Sequence, residues 1–309
     1  MRWGYIGLWG LAGAVVLTGL LLFRSSNQPA ADAIRASSSS VGISAPVVGD
    51  QPVLTDDPPP IYAQSAVVID AGSGKVLISQ DPHKSVPVAS TTKVMSAIAF
   101  LLEGPNLDEQ VTVSQAAASQ IGSLMGLGAG ERLTLYSLLA GAILMSGNDA
   151  IYQIAEHQGG VGTFVAKMNT IAATLGLKES NFRDPAGLDD EGRSSAYDLG
   201  MMFRYALTFD AFRSLIHASE LTVESSTQSY RLVNSNRLVR GEEPLYLADA
   251  LGGKTGFTPD AGHSLVAAAQ RDGHVLIAVV LASDDTAPDG SAREARRLLN
   301  WTFDHTRWQ

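Results

Sequence analysis

The pattern of apolar and polar positions divides the chain into three stretches. From Trp3 to Phe23 there are 21 residues without a charged side chain and without an amphipathic repeat. That is enough to cross about 30 Å of hydrocarbon as a helix. Arg2 and the α-amine precede the run and Arg24 follows it, so the charge bias across it is small. A cleaved signal peptide has an apolar core of about 7–15 residues and a small-x-small site. Ala31-Asp32-Ala33 offers such a site, but the length of the run favours an uncleaved anchor over residues 1–24. On either reading the rest of the chain is exported. Residues 25–60 lack a core pattern, carry Ser37 to Ser40, and end in Asp56-Asp57-Pro58-Pro59-Pro60. They predict an extended linker.

The folded domain is predicted over 61–309. Two β-branched runs, Ser65 to Asp70 and Lys75 to Ser79, flank Ala71-Gly72-Ser73-Gly74 and predict a hairpin. Ser90 to Leu102 carries Val94, Ile98, Leu101 and Leu102 at helical spacing and stops near Gly104-Pro105. Helices are also predicted over 134–144, 151–156, 162–175, 196–208 and 292–303. Short β runs cover 221–223, 230–233, 253–257, 263–269 and 275–281. A hairpin first, helices in the middle and consecutive strands last predict one sheet built from both ends of the chain. Short turns between neighbouring strands make that sheet mainly antiparallel. The fold class is therefore α/β of the α+β kind, with a sheet flanked by helices, a mostly helical lobe, and an active site at the seam.

Composition removes several function classes. The formal net charge is -9 with no long basic run, so no nucleic-acid partner is expected. There is no cysteine, which excludes disulfides, thiolate catalysis and cysteine-type zinc sites. The six histidines show no metal-ligand spacing, so neither metal nor cofactor is expected.

Three short motifs carry the chemistry. In Ser90-Thr91-Thr92-Lys93, positions i and i+3 share a helix face, which brings Lys93 Nζ within reach of the Ser90 hydroxyl. A lysine base must be partly neutral near pH 7, and burial or a second cation favours that state. Ser146-Gly147-Asn148 falls between two helical stretches and supplies a hydroxyl for proton relay and an amide for substrate. Lys254-Thr255-Gly256 falls on a predicted edge strand, where Lys254 and Thr255 suit a carboxylate and Gly256 a closely approaching substrate backbone. The run Gly253-Lys254-Thr255 is not a phosphate loop, because position 248 is Ala where such a loop needs Gly. Nucleophile, base, relay and anchor make a serine enzyme that works without histidine.

In this order the motifs resemble the signatures of penicillin-interacting serine enzymes. The surrounding strings Val86 to Met95, Leu144 to Ala150, Phe182 to Asp189, Ser195 to Asp198 and Gly253 to Thr258 are similar to the low-molecular-mass penicillin-binding proteins that act as D-alanyl-D-alanine carboxypeptidases. The resemblance implies a DD-peptidase/β-lactamase-like fold over about Ile61 to Trp308. It implies Ser90 as acylated nucleophile, Lys93 as its base and Ser146 as relay. Asn148 would orient substrate, and Lys254 and Thr255 would hold its carboxylate, with Lys254 depressing the Lys93 pKa. The N–H groups of Ser90 and Phe257 would form the oxyanion hole. The implied partners are a peptidoglycan stem peptide ending in D-Ala-D-Ala, β-lactams as inhibitors, and the bacterial cytoplasmic membrane through the N-terminal segment. Where many relatives have histidine after the K-T-G glycine, this chain has Phe257, which implies altered selectivity. A D,D-endopeptidase uses the same site. A class A β-lactamase needs an E-x-x-L-N glutamate that Glu179-Ser180-Asn181-Phe182 does not supply. A non-catalytic β-lactam sensor would have lost Lys93 or Ser146.

Overall fold

The computed structural model describes Met1 and residues 51–309. The predicted anchor, the signal site and most of the linker lie outside the described residues. The linker ends earlier than the predicted Pro60. Strand β1 (Pro52–Leu54) pairs antiparallel with the last strand of the chain, and Leu54 packs on the core below the sheet. Three residues are too few to show a β period, and a single apolar side chain is enough to seat them.

The hairpin β2 (Ala63–Asp70) and β3 (Val76–Gln80) comes next. β4 (Val86–Pro87) then leads into a 3₁₀ turn over Ala89–Thr92 and helix α1 (Lys93–Leu101). The lobe contains β5 (Gln110–Thr112), α2 (Gln115–Ala118), β6 (Arg132–Thr134), α3 (Leu135–Leu144), α4 (Asn148–His157) and α5 (Val161–Thr174). After β7 (Arg193–Ser194) come α6 (Ala196–Ala206), α7 (Asp210–His217) and the ribbon β8 (Glu220–Glu224) and β9 (Ser229–Val233). The chain closes with β10 (Ala250–Gly256), β11 (Ser264–Arg271), β12 (His274–Ser283), α8 (Gly290–Asp304) and β13 (Thr306–Trp308).

The main sheet runs β10-β11-β12-β2-β3, every pairing antiparallel, and joins both ends of the chain at β12–β2. Its strands are apolar on both faces because both faces are covered. Val67, Ile69, Ile277 and Val279 enter the core shared with the helical lobe. Ala66, Val68, Ala278 and Val280 face α8 with Leu298 and Leu299. Small side chains let the helices approach closely. A Cβ on Gly200 of α6 would meet Ile69 Cδ1 at 2.6 Å. The elements not foreseen are the short ones: β1, β4, β7, β13, α2, α7, and the β5–β6 pair, whose strands have three residues each and lie twenty apart. In α7 only Phe212, Leu215 and Ile216 are buried, a pattern too short to stand out beside charged neighbours.

The first turn of α6 holds a stressed carboxylate. Asp198 Oδ2 accepts hydrogen bonds from Glu179 N at 2.8 Å and Ser180 Oγ at 2.9 Å. Burial, reinforced by the neighbouring Glu179 carboxylate, pushes the Asp198 pKa up to about 6. A carboxyl whose folded pKa is raised binds its proton better in the folded state, so its contribution favours folding below that pKa and is lost as pH rises through it. Asparagine keeps an acceptor for both donors and presents N–H to Glu179 at every pH. Asp198→Asn is therefore expected to raise Tm at pH 7.5. Thermal melts across pH 4.5–8 should show that advantage vanish toward pH 5, and an equal or greater advantage at pH 5 would refute the assignment.

Candidate active site

The 3₁₀ turn at Ala89–Thr92 sits at the seam between the sheet and the helical lobe, and it presents Ser90 just ahead of α1. Ala89 holds φ +47°. Such a conformation in a non-glycine residue costs on the order of 1–3 kcal/mol and is kept only where the surroundings impose it. Two glycines let those surroundings close in. A Cβ on Gly187 would stand 1.9 Å from Ala89 O, and one on Gly256 would stand 2.9 Å from Val88 O and 3.2 Å from Thr91 N. The role expected of Gly256 toward substrate is joined by a structural one. Its missing side chain makes room for the turn that carries Ser90, since its Cβ direction points there.

Lys93 is fully buried, and its Nζ lies 2.9 Å from Ser90 Oγ, 2.7 Å from Asn148 Oδ1 and 3.0 Å from Ala186 O. The contact with Oγ serves both protonation states, because an ammonium donates to the hydroxyl and a neutral amine accepts its proton. Burial first, and then the charge of Lys254, hold the Lys93 amine well below the ordinary lysine range, while Asp184 and Asp149 pull the other way. Lys254 is itself fully buried, and burial lowers its pKa to about 7. Its Nζ donates to Thr255 O at 3.0 Å.

Asn148 opens α4 and is committed to the protein at both ends. Oδ1 accepts from Lys93, and Nδ2 donates to Ile121 O at 2.6 Å. The predicted substrate-orienting amide is thus found holding the base, because helix α4 aims it inward at the lysine. Ser146 keeps φ +64°, and its Oγ is buried without a hydrogen-bond partner among the described residues. A hydroxyl so placed is free to take and pass a proton. Thr255 faces outward, and its Oγ1 lies 2.7 Å from Ser235 Oγ. Phe257 follows β10, is 56% exposed, and stacks on His263 at 4.3 Å between centroids.

Two buried carboxylates went unrecognised in the sequence. Asp149 gathers the N–H groups of Met125, Gly126 and Leu127, fixing the loop whose Ile121 carbonyl engages Asn148. Asp184 gathers those of Ala186, Gly187 and Asp189 and so turns the Ala186 carbonyl toward Lys93. The signal for Asp184 was Asp184-Pro185-Ala186-Gly187, a sequence suited to an Asx turn. Ser235 had no signal beyond its polarity.

A serine hydroxyl bonded to a buried, pKa-depressed amine can be activated for acyl transfer. The model of the peptidase S11 family, D-alanyl-D-alanine carboxypeptidase, matches residues 53–285. The chain belongs to this family. Among curated members it is 33% identical over 249 residues to D-alanyl-D-alanine carboxypeptidase DacF of Bacillus subtilis, covering 78% of this chain and 62% of that protein. It is 34% identical over 247 residues to DacB2 of Mycobacterium tuberculosis, covering 78% of this chain and 82% of that protein. The chain thus spans less than two thirds of the Bacillus relative. Among solved structures, the Streptomyces K15 DD-transpeptidase aligns with TM-score 0.75 at 29% identity, over 81% of this chain and all of that one. The D-alanyl-D-alanine carboxypeptidase from Mycobacterium tuberculosis aligns with TM-score 0.75 at 32% identity, over 82% and 96%. The predicted antiparallel-sheet DD-peptidase fold is the fold of these family members.

The contact between Gly187 and Ala89 yields a direct test of the scaffold. Gly187 has φ +77°, so alanine there meets both backbone strain and the Ala89 carbonyl. Gly187→Ala is expected to destabilise by about 2–4 kcal/mol, which lowers Tm by roughly 5–15 °C in a domain of this size. Differential scanning calorimetry checks it. A loss under about 2 °C would mean that the loop moves away from the nucleophile turn without penalty.

Proposed function

We propose that the chain is a serine-type D-Ala-D-Ala carboxypeptidase that removes the terminal D-alanine from peptidoglycan pentapeptides. The observation that carries this reading is the 2.9 Å contact between Ser90 Oγ and the fully buried Lys93 Nζ. Ser90 Oγ attacks the carbonyl of the penultimate D-alanine while its proton passes to the neutral Lys93 amine. The oxyanion is held by the N–H groups of Ser90 and Phe257. Ser146 hands a proton to the departing D-alanine nitrogen as the C–N bond breaks, leaving an ester on Ser90. The proton held by Lys93 passes to Ser146 in the same step, which leaves the amine neutral. Water then attacks the ester as Lys93 takes its proton, and that proton returns to Ser90 Oγ as the ester bond breaks and the shortened peptide leaves. Thr255, with Lys254 behind it, anchors the terminal carboxylate. β-Lactams acylate Ser90 in the same way and leave slowly.

Glu179 does not supply a second base for a β-lactamase. Its carboxylate faces His83 and Ser195, in the cluster with Asp198. Export and tethering by residues 1–24, with 25–50 as spacer, would place the domain on the outer face of the bacterial cytoplasmic membrane and join it to wall remodelling and cell shape.

Intact-mass spectrometry of the full-length chain with penicillin, and separately with a pentapeptide ending in D-Ala-D-Ala, tests the reading. A long-lived adduct on Ser90 and release of a single D-alanine are expected, both lost in Ser90→Ala. Cleavage of crosslinked dimers without D-alanine release would indicate an endopeptidase, as one relative, the D-alanyl-D-alanine endopeptidase of Pseudomonas aeruginosa, is named. Folded protein that forms no adduct would sink the reading.

The pH dependence has a definite sign. Lys93 must be neutral to act, so activity rises as pH passes its depressed pKa. Lys254 must be charged, so kcat/KM is expected to fall above about pH 7. A kcat/KM profile flat from pH 7 to 9.5 would contradict a field role for Lys254.

A further inference from the structure

The loop from Asp184 to Glu191 touches three parts of the site. Its Ala186 carbonyl holds Lys93, and Gly187 packs on Ala89 beside the nucleophile. Its far end then crosses the seam. Thr258 Oγ1, just beyond Phe257, donates to Asp190 Oδ1 at 2.6 Å and accepts from Ala261 N at 3.1 Å. Asp190 is half-buried against the opposite wall.

We propose that the Asp190–Thr258 hydrogen bond is a strap that aims the Phe257 N–H at the oxyanion, making Asp190 a positioning residue for acylation. The inference rests on the function proposed above. The direction of the Phe257 N–H is set by the peptide plane between Gly256 and Phe257. On one side that plane is pinned where Gly256 pairs with Ser264 at the end of β10. On the other side, the Phe257 side chain is exposed and only stacks on His263, a contact that leaves the backbone free to rotate. The next fixed point is Thr258, held by Asp190 and by Gly262 N donating to Thr258 O at 3.0 Å. An oxyanion donor must stand about 2.7–3.1 Å from the developing charge, and a misplacement of about 1 Å can cost up to 10²-fold. The same loop thus sets the base through Ala186 and the oxyanion donor through Asp190. Both depend on one Asx-capped turn at Asp184.

The test uses the full-length chain and three readouts: the rate of Ser90 acylation by penicillin, kcat and KM on a D-Ala-D-Ala peptide, and affinity for a peptidyl boronic acid that forms a tetrahedral adduct on Ser90. Asp190→Ala and Thr258→Val are each expected to slow acylation and kcat about 10-fold while KM stays within about twofold. Boronate affinity should fall by the same factor, because the boronate resembles the transition state and the substrate does not. The double variant should be no slower than either single one. Asp190→Asn, which retains an acceptor oxygen, and Thr258→Ser, which retains the hydroxyl, should restore most of the rate. Acylation and boronate affinity within about twofold of wild type in Asp190→Ala would overturn the proposal. So would a slower rate with unchanged boronate affinity, since that is what a purely structural bond would do. Wild-type protein that is acylated yet releases no D-alanine would change the proposed activity and leave this test intact, because the acylation and boronate readouts both report on Ser90.

Discussion

A lysine amine buried with no salt-bridge partner among the described residues is the constraint on which the rest of the site depends. Taking an ammonium out of water costs several kcal/mol even after relaxation, and proteins usually answer by pairing the charge or by lowering the pKa. Lys93 follows the second course. Its three contacts are a hydroxyl, an amide oxygen and a backbone carbonyl, none of them ionised. Asp149 and Asp184 are near enough to favour the charged form, yet their oxygens are occupied by backbone N–H groups. They shape loops around the lysine and do not neutralise it. With Lys254 adding a like charge, the amine is held well below the ordinary lysine range, so its neutral form is favoured.

Keeping that amine in place requires rigid surroundings, and the fold supplies them by covering the sheet on both faces. β10 lies at one edge of the sheet and carries Lys254 and Gly256, while α1 carries Lys93. The nucleophile turn is wedged between β10 and the 184–191 loop. The positive φ angles of Ala89 and Ser146 are local strain of about 1–3 kcal/mol each, sustained by this packing. Gly187 and Gly256 are where the packing is tightest, and each is a glycine because a backbone atom of the nucleophile turn occupies the Cβ direction.

Much of this was legible in the sequence because it depends on short-range spacing. The i, i+3 relation of Ser90 and Lys93 follows from helical geometry alone, and the β2–β3 hairpin and β10–β12 meander follow from β-branched runs and turns. The features that spacing does not reveal are set by long-range contacts. Pro52–Leu54 becomes a strand only because β13 is there to pair with it. The Ser146-Gly147-Asn148 motif points Asn148 to substrate, and its contact with a lysine 55 residues away has no short-range signal. Gly256 reads in the sequence as room for substrate backbone, and the Val88 and Thr91 contacts in its Cβ direction come from a turn that no spacing links to it. Asp184 is marked only by a turn-forming Asp-Pro-Ala-Gly string, and Asp149 carries no motif, since its value lies in backbone N–H groups from a distant loop.

The division of labour between Lys254 and Thr255 follows from which way each points along one strand. Successive side chains of a strand face opposite sides, so neighbouring residues cannot both be buried at a seam and open to a ligand. Lys254 takes the inward position, fully buried, with a pKa lowered to about 7 by desolvation. From there it acts on its surroundings through its field, which is strong because the medium around it is poorly polarisable. Thr255 takes the outward position with its hydroxyl against Ser235, whose backbone N–H is tied to Leu144 O just ahead of Ser146. The strand therefore separates the two demands of an anion site. In the function proposed above, the hydroxyl pair meets the substrate carboxylate while Lys254 behind it supplies charge, and that same charge, by lowering the pKa of the neighbouring Lys93, favours its neutral amine.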